Sequence, residues 1–122
     1  MRIFMHKYFH KWAKINKLNY AELHVAIDEI KRGLLGTRIG ENLYKKRIAK
    51  GNRGKRSSIR TLVAYKKDER LFFIYGYAKN QRATITSKEL DLHRSLADIY
   101  LNMDEASITT MLKSGKIIEV KS

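Results

Sequence analysis

Ten basic side chains lie between Asn42 and Lys67, and no acidic one: Lys45, Lys46, Arg47, Lys50, Arg53, Lys55, Arg56, Arg60, Lys66 and Lys67. Such a run can neutralise the phosphates of a nucleic acid, whose backbone supplies most of the binding energy. The plainer alternative is a solvated basic surface that keeps the chain soluble. Arg60 carries more information than its neighbours because it sits in an alternating run, Ile59 to Lys66. Alternation sends Arg60, Leu62 and Ala64 to one face and Ile59, Thr61, Val63 and Tyr65 to the other. A guanidinium presents a rigid fork that matches phosphate oxygens. Lys79 and Arg82 follow the β-rich run Arg70 to Ala78. If these two runs pair through the turn Lys67-Asp68-Glu69, Arg60 comes next to Lys79, with Arg82 one short step away. The loop expected from Lys50 to Ser58 joins the same end. Three separated pieces of sequence then meet on one cationic rim.

The chemistry open to such a rim is cleavage of an RNA phosphodiester. The 2′-hydroxyl must lose a proton, charge must be stabilised on the phosphoryl oxygens, and the 5′-oxygen must leave. No histidine lies between His24 and His93, and the rim lacks a carboxylate. A lysine can do the proton work if crowded positive charge lowers its pKa, and arginines can stabilise the transition state. A divalent metal fits poorly, because the rim repels cations and offers no ligand cluster. His6 and His10 are four apart on an expected helix, but no third ligand accompanies them. They are read, with His24, as helix-surface residues, and His93 as a residue of a core edge or of the surface. Gly51 to Lys55 lacks the spacing of a phosphate-cradling loop. Trp12, Tyr8 and Phe9 are read as packing rather than as a stacking platform. Tyr75 and Tyr77 are expected on one face of their strand and Phe72, Ile74 and Gly76 on the other. Packing is the first reading for both tyrosines, although either can reach the rim.

Helices and strands must carry these residues. Ile3 and Phe4 start an extended segment. A helix is expected from about His6 to Asn16 with Phe9, Trp12 and Ile15 on its apolar side. Asn19 and Glu22 have capping-box spacing, and Leu23, Ala26, Ile27, Ile30 and Leu34 stripe a second helix that ends near Gly33 and Gly36. Leu43 to Ala49 reads as a strand with an unclean pattern. Arg70 to Ala78 is the strongest strand and is expected to be central, covered on both faces. Thr86 and Glu89 cap a third helix, and a shorter one from about Asp104 to Ser114 ends at Gly115. Ile117 to Val120 closes the sheet. The class is α+β: one central antiparallel or mixed sheet flanked by an N-terminal helical pair and C-terminal helices.

The 122 residues fit one domain, 1–122. The net charge of +14, from 26 Lys and Arg against 12 Asp and Glu, costs self-repulsion that a polyanionic partner offsets. The helices beyond the basic segment are expected to mix their charges, which would focus the excess on one sheet region. There is no cysteine, which excludes disulfides, thiolate metal sites and a cysteine nucleophile. No apolar stretch approaches the roughly 18 residues of a membrane span, and the N-terminus shows no long apolar run followed by a small-residue cleavage site, so secretion is not expected. A cytoplasmic protein away from membranes is expected.

Tyr44-Lys-Lys-Arg-Ile-Ala49, Gly54-Lys-Arg-Ser-Ser-Ile-Arg-Thr-Leu-Val-Ala-Tyr65, Phe72-Phe-Ile-Tyr-Gly-Tyr-Ala-Lys-Asn-Gln-Arg82 and Gly115-Lys-Ile-Ile-Glu-Val120 together resemble the RelE/HigB class of bacterial toxins. The likeness spans about residues 3 to 120. It implies a RelE-like fold and the toxin of a type II toxin–antitoxin pair. Such toxins are mRNA interferases: endoribonucleases that cut mRNA, usually in the ribosomal decoding site. They use no metal or other cofactor and leave a 2′,3′-cyclic phosphate and a 5′-hydroxyl. The implied partners are mRNA, the ribosome and a cognate antitoxin, in this branch often one with a helix-turn-helix DNA-binding domain. The resemblance places Arg60 at the family's arginine position and Lys79 and Arg82 on its Lys-x-x-Arg. Lys46 and Arg47 fall on basic positions of the first basic strand. Arg60 and Arg82 are then expected to stabilise the phosphate, and Lys79 to transfer a proton, with Lys46 as its rival. Lys45, Arg47, Lys50, Arg53, Lys55 and Arg56 are expected to hold RNA. Some relatives have a tyrosine soon after the last arginine; here Ala83, Thr84, Ile85 and Thr86 stand instead.

Two other readings use the same residues. One is a noncatalytic module that binds RNA or the ribosome. The other is a regulatory module that chiefly binds an antitoxin.

Overall fold

The computed structural model describes residues 1–49, 59–78 and 85–121. In chain order the elements are β1 (Arg2–His6), α1 (Lys7–Ile15), α2 (Tyr20–Lys31), β2 (Thr37–Arg38), β3 (Leu43–Ile48), β4 (Ile59–Lys66), β5 (Arg70–Ala78), α3 (Ser87–Asn102), α4 (Glu105–Lys113) and β6 (Ile117–Val120). The strands form one sheet in the order β2-β3-β4-β5-β1-β6. Every neighbouring pair is antiparallel except β1 and β5, which run parallel. The sheet is therefore mixed, and the α+β arrangement with helices at both ends of the chain holds.

The helices end where the local chemistry supplies partners for free backbone groups. Asn19 Oδ1 accepts from the Glu22 amide at 2.8 Å, and the Glu22 carboxylate accepts from the Asn19 amide at 3.1 Å. Thr86 and Glu89 make the same reciprocal box at the start of α3. α2 stops at Lys31 because Gly33 turns left-handed (φ +89°) and the Gly33 and Leu34 amides return to the Ile30 and Glu29 carbonyls, each at 2.9 Å. Leu34 is thereby left beyond the helix and 52% exposed, and Ile15 is 70% exposed. Both were expected on apolar stripes. Each sits at a helix end, where the chain turns away from the sheet.

The sheet buries both faces, so β4 and β5 read as nearly continuous apolar runs. On one face α1 and α2 lay Phe9, Ala13, Leu23, Ile27 and Ile30 over Met5, Val63, Leu71 and Phe73. On the other, α3 and α4 lay Ala97, Tyr100, Leu101 and Ile108 over Phe4, Leu62, Ala64, Phe72 and Ile74. Trp12 reaches across to β5, where Gly76 leaves room for it. A Cβ on Gly76 would lie 2.4 Å from the indole ring. Trp12 is thus a packing residue, as expected.

One strand face departs from the alternation. Leu62 pairs with Tyr75 and Val63 with Phe73, which leaves Ile74 as an extra residue, a bulge. Phe72, Ile74 and Tyr75 all pack on the α3 side, while Gly76 faces Trp12. The expectation that Ile74 and Phe72 oppose Tyr75 and Tyr77 is therefore corrected. The bulge resets the alternation and puts both tyrosines on the side where Leu62 and Ala64 point.

Candidate nucleic-acid interface

Arg60 lies on β4 directly opposite Arg47 of β3 and Tyr77 of β5. Its face is fixed by the residues that alternate with it: Leu62 and Ala64 pack under α3, and Ile59 packs on the α1 side. The next row on the same face is Lys45, Leu62 and Tyr75. Lys45 and Arg47 are exposed and Arg60 is partly so. Among the described residues neither Lys45 nor Arg60 makes an ion pair. Like charges directly opposite in an antiparallel pair repel, and Arg47 and Arg60 occupy such a pair of positions.

Aromatic residues border this patch. The Tyr75 ring stands 5.9 Å from Tyr77 and 5.0 Å from His93 of α3. His93 is buried, and so is Tyr77. His93 thus takes the core-edge position of the two that the sequence allowed. The contact with Tyr75 was not foreseen, because it depends on the bulge.

Lys46 goes elsewhere. It shares its strand face with Tyr44 and Ile48, on the α1–α2 side, and its Nζ lies 2.9 Å from the Glu29 carboxylate of α2. Its side chain is only 9% exposed. The β3 carbonyl at Lys46 accepts from the buried Thr61 hydroxyl at 2.9 Å. The structure therefore brings Arg60, Arg47 and Lys45 together and separates Lys46 from them. Lys79 and Arg82 lie outside the described residues, as do Lys50, Arg53, Lys55 and Arg56. β3 ends at Ile48 opposite Ile59, and β5 ends at Ala78 opposite the same residue.

The opposite end of the same sheet face also has two arginines as neighbours, Arg2 and Arg70. There the charge is compensated. Arg2 donates to Glu119 at 3.0 and 2.9 Å and to Glu105 at 2.8 Å. Arg70 donates to Glu105 at 2.9 Å and to the Tyr100 carbonyl at 3.1 Å, and also meets the Met103 carbonyl. The hydrogen bond from Arg2 holds the Glu119 carboxyl below its usual range, and that from Arg70 does the same for Glu105.

Among the described residues no group of three His, Cys, Asp or Glu could hold a metal ion. No described helix is long and apolar enough to cross a membrane.

No curated protein sequence matches the chain. A family model does: the RelE toxin of the RelE/RelB toxin–antitoxin system, over residues 1–120. The match takes in every described strand and helix, including the acid-free β3–β4 segment that carries Arg47 and Arg60, and the chain belongs to the RelE toxin family.

Proposed function

We propose that this RelE-family toxin is a ribosome-dependent mRNA endoribonuclease that works without a metal. The observation that carries the reading is Arg60: a guanidinium opposite Arg47, on a face with exposed Lys45, in no ion pair with a described residue. A phosphodiester placed there accepts the Arg60 fork. The family resemblance supplies the substrate, mRNA, the setting on the ribosome and the metal-free route.

Cleavage then runs as a transesterification. The 2′-oxygen gives its proton to a base, bonds to phosphorus, and the bond from phosphorus to the 5′-oxygen breaks. The 5′-oxygen takes a proton, leaving a 2′,3′-cyclic phosphate and a 5′-hydroxyl. Arg60 and Arg82 stabilise the charge that grows on the phosphoryl oxygens. Lys79 is the proposed proton-transfer residue. Its rival Lys46 is disfavoured, because the ion pair to Glu29 holds it on the other face. Lys45 and Arg47, with Lys50, Arg53, Lys55 and Arg56, are proposed to hold the RNA backbone. The proposed protein partner is a cognate antitoxin with a helix-turn-helix domain, and the proposed compartment is the cytoplasm.

The test is to incubate the protein with ribosomes and mRNA and map new 5′ ends. Discrete ends that persist in EDTA, with ribosome integrity controlled, and vanish in Arg60→Ala support the reading. RNA association without cuts would make the chain a binding module, and cutting restored only by a divalent ion would end the metal-free route.

A further inference from the structure

The expectation that the helices mix their charges fails at α1. Residues 1–21 contain no Asp or Glu. Lys7, Lys11 and Lys14 are separated by four and three residues, so they form one stripe along the helix, and all three are exposed, as is Lys17 just beyond it. None of the four makes an ion pair with a described residue. The next carboxylate in sequence, Glu22, is engaged in the capping box of α2. Lys7 also stands in the first helical turn, at the positive end of the helix dipole, where no acidic residue accompanies it. Like-charged neighbours one turn apart repel. Lys14 in the last turn suits the helix dipole and Lys7 sits over the Tyr8 ring, but no described carboxylate offsets the stripe.

This stripe is not part of the Arg60 face. α1 packs on the other side of the sheet, with Phe9 stacked on Phe73 at 5.4 Å and Trp12 over Gly76. An RNA strand lying against Arg60 does not reach Lys7, Lys11 and Lys14 without passing around the sheet. We infer that the α1 lysines form a second RNA-binding surface, back to back with the first, which takes the phosphate backbone of a double-stranded RNA.

The chemistry of the stripe selects the duplex. It offers point charges rather than forks, and the hollow beside Lys14 has a largely apolar floor of Met5, Ala13, Leu18 and Leu23. The adjacent Tyr8 ring, though 66% exposed, is covered in part by the Lys7 ammonium at 5.0 Å and by His6. Single strands are gripped by grooves with free aromatic platforms on which bases stack. A duplex is recognised by its shape and its regular phosphates. Lysines about 6 and 4.5 Å apart along a convex helix suit that regular backbone. This inference goes beyond the cleavage reading and does not depend on it.

The experiment measures affinity for a short RNA duplex and for a single strand of similar length, over a range of salt, with the full chain. The variants are the triple Lys7→Gln/Lys11→Gln/Lys14→Gln, the triple Lys→Arg at the same positions, and Arg60→Ala. The Gln triple is expected to keep its circular dichroism and lose duplex affinity about ten-fold or more, with the slope of log K against log salt shallower by about 2 to 3. The Arg triple is expected to bind duplex like the parent, which separates lost charge from lost folding. Arg60→Ala is expected to weaken single-strand binding and spare the duplex, so failure of the cleavage face and failure of the ridge give different patterns. Unchanged duplex affinity and slope in the Gln triple, or a loss shared by the Arg triple, would overturn the inference.

Discussion

Arg2 stands beside Arg70 on β1 and β5, and Arg47 stands opposite Arg60 on β3 and β4. Both pairs lie on the α3 side of one sheet, and along β5 their rows are seven residues apart, about 20 Å. At the first pair Glu105 and Glu119 complete the charges, and the Arg70 guanidinium also takes up the carbonyls of Tyr100 and Met103 at the end of α3. At the second, the segment from Asn42 to Lys67 supplies no carboxylate at all. The same side chain is thus used in two ways. Where the chain provides the anion, arginine joins strands to helices. Where it pairs Arg60 with no described carboxylate, the guanidinium is left for a ligand.

Four outcomes test this contrast. The largest effect is expected from Arg60→Ala: mRNA cutting falls by about 10²- to 10³-fold, while the melting temperature holds, because Arg60 makes no ion pair with a described residue. A matching fall in stability would mean that Arg60 is structural. Next is Arg70→Met. It leaves the Tyr100 and Met103 carbonyls without their donor and costs about 2 kcal/mol in urea unfolding, with RNA affinity unchanged. Reduced RNA affinity would erase the distinction between the two ends. Third, Lys45→Glu plants a carboxylate in the row beside Arg47 and Arg60 and so imitates the compensated end. RNA affinity is expected to fall, and its salt dependence to flatten by a slope of about 1 to 2.

The smallest effect is on pH. The folded carboxyls of Glu119 and Glu105 titrate below their usual value of 4.5. The native state therefore binds fewer protons than the unfolded one, and the stabilisation is complete above pH 4.5 and lost as pH falls through the lower folded values. Burial, aided by Lys7, likewise holds His6 below 6.5, so its loss begins at milder acidity. Its Nδ1 accepts from the Tyr8 amide at the start of α1, a bond that the protonated ring cannot make. Chemical unfolding against pH is expected to show both losses, and Glu119→Gln to shrink only the lower one.

Much of this frame was legible in the sequence, for local reasons. The β4–β5 hairpin announced itself through alternation and the Lys67-Asp68-Glu69 turn, where Asp68 adopts φ +64°. Both capping boxes are set by residues three apart. Arg60 was assigned its face correctly because four neighbours on β4 alternate around it. What escaped depends on partners distant in sequence. Lys46 sits at an inward position of β3 and made that strand's pattern look irregular; its compensation, Glu29, is on a helix seventeen residues earlier. The bulge at Ile74 leaves no mark in a run of apolar residues, since either face of β5 is buried. The two-residue β2 and the parallel pairing of β1 with β5 are likewise set by the sheet as a whole. The α1 ridge is the opposite case. Its signal, 21 residues without an acid, was in plain view but was outweighed by the denser basic run that follows.

The contrast between the two ends can be read directly from the arginine side chains. The Nε–Hε signals of Arg60 and Arg70 are followed by NMR as the protein is titrated with an mRNA fragment that carries a 2′-deoxy sugar at the cut site and so cannot react. The account predicts that the Arg60 signal shifts and saturates with binding while the Arg70 signal stays in place. A silent Arg60, or an Arg70 that moves with it, would contradict the claim that Arg60 is where the phosphodiester sits.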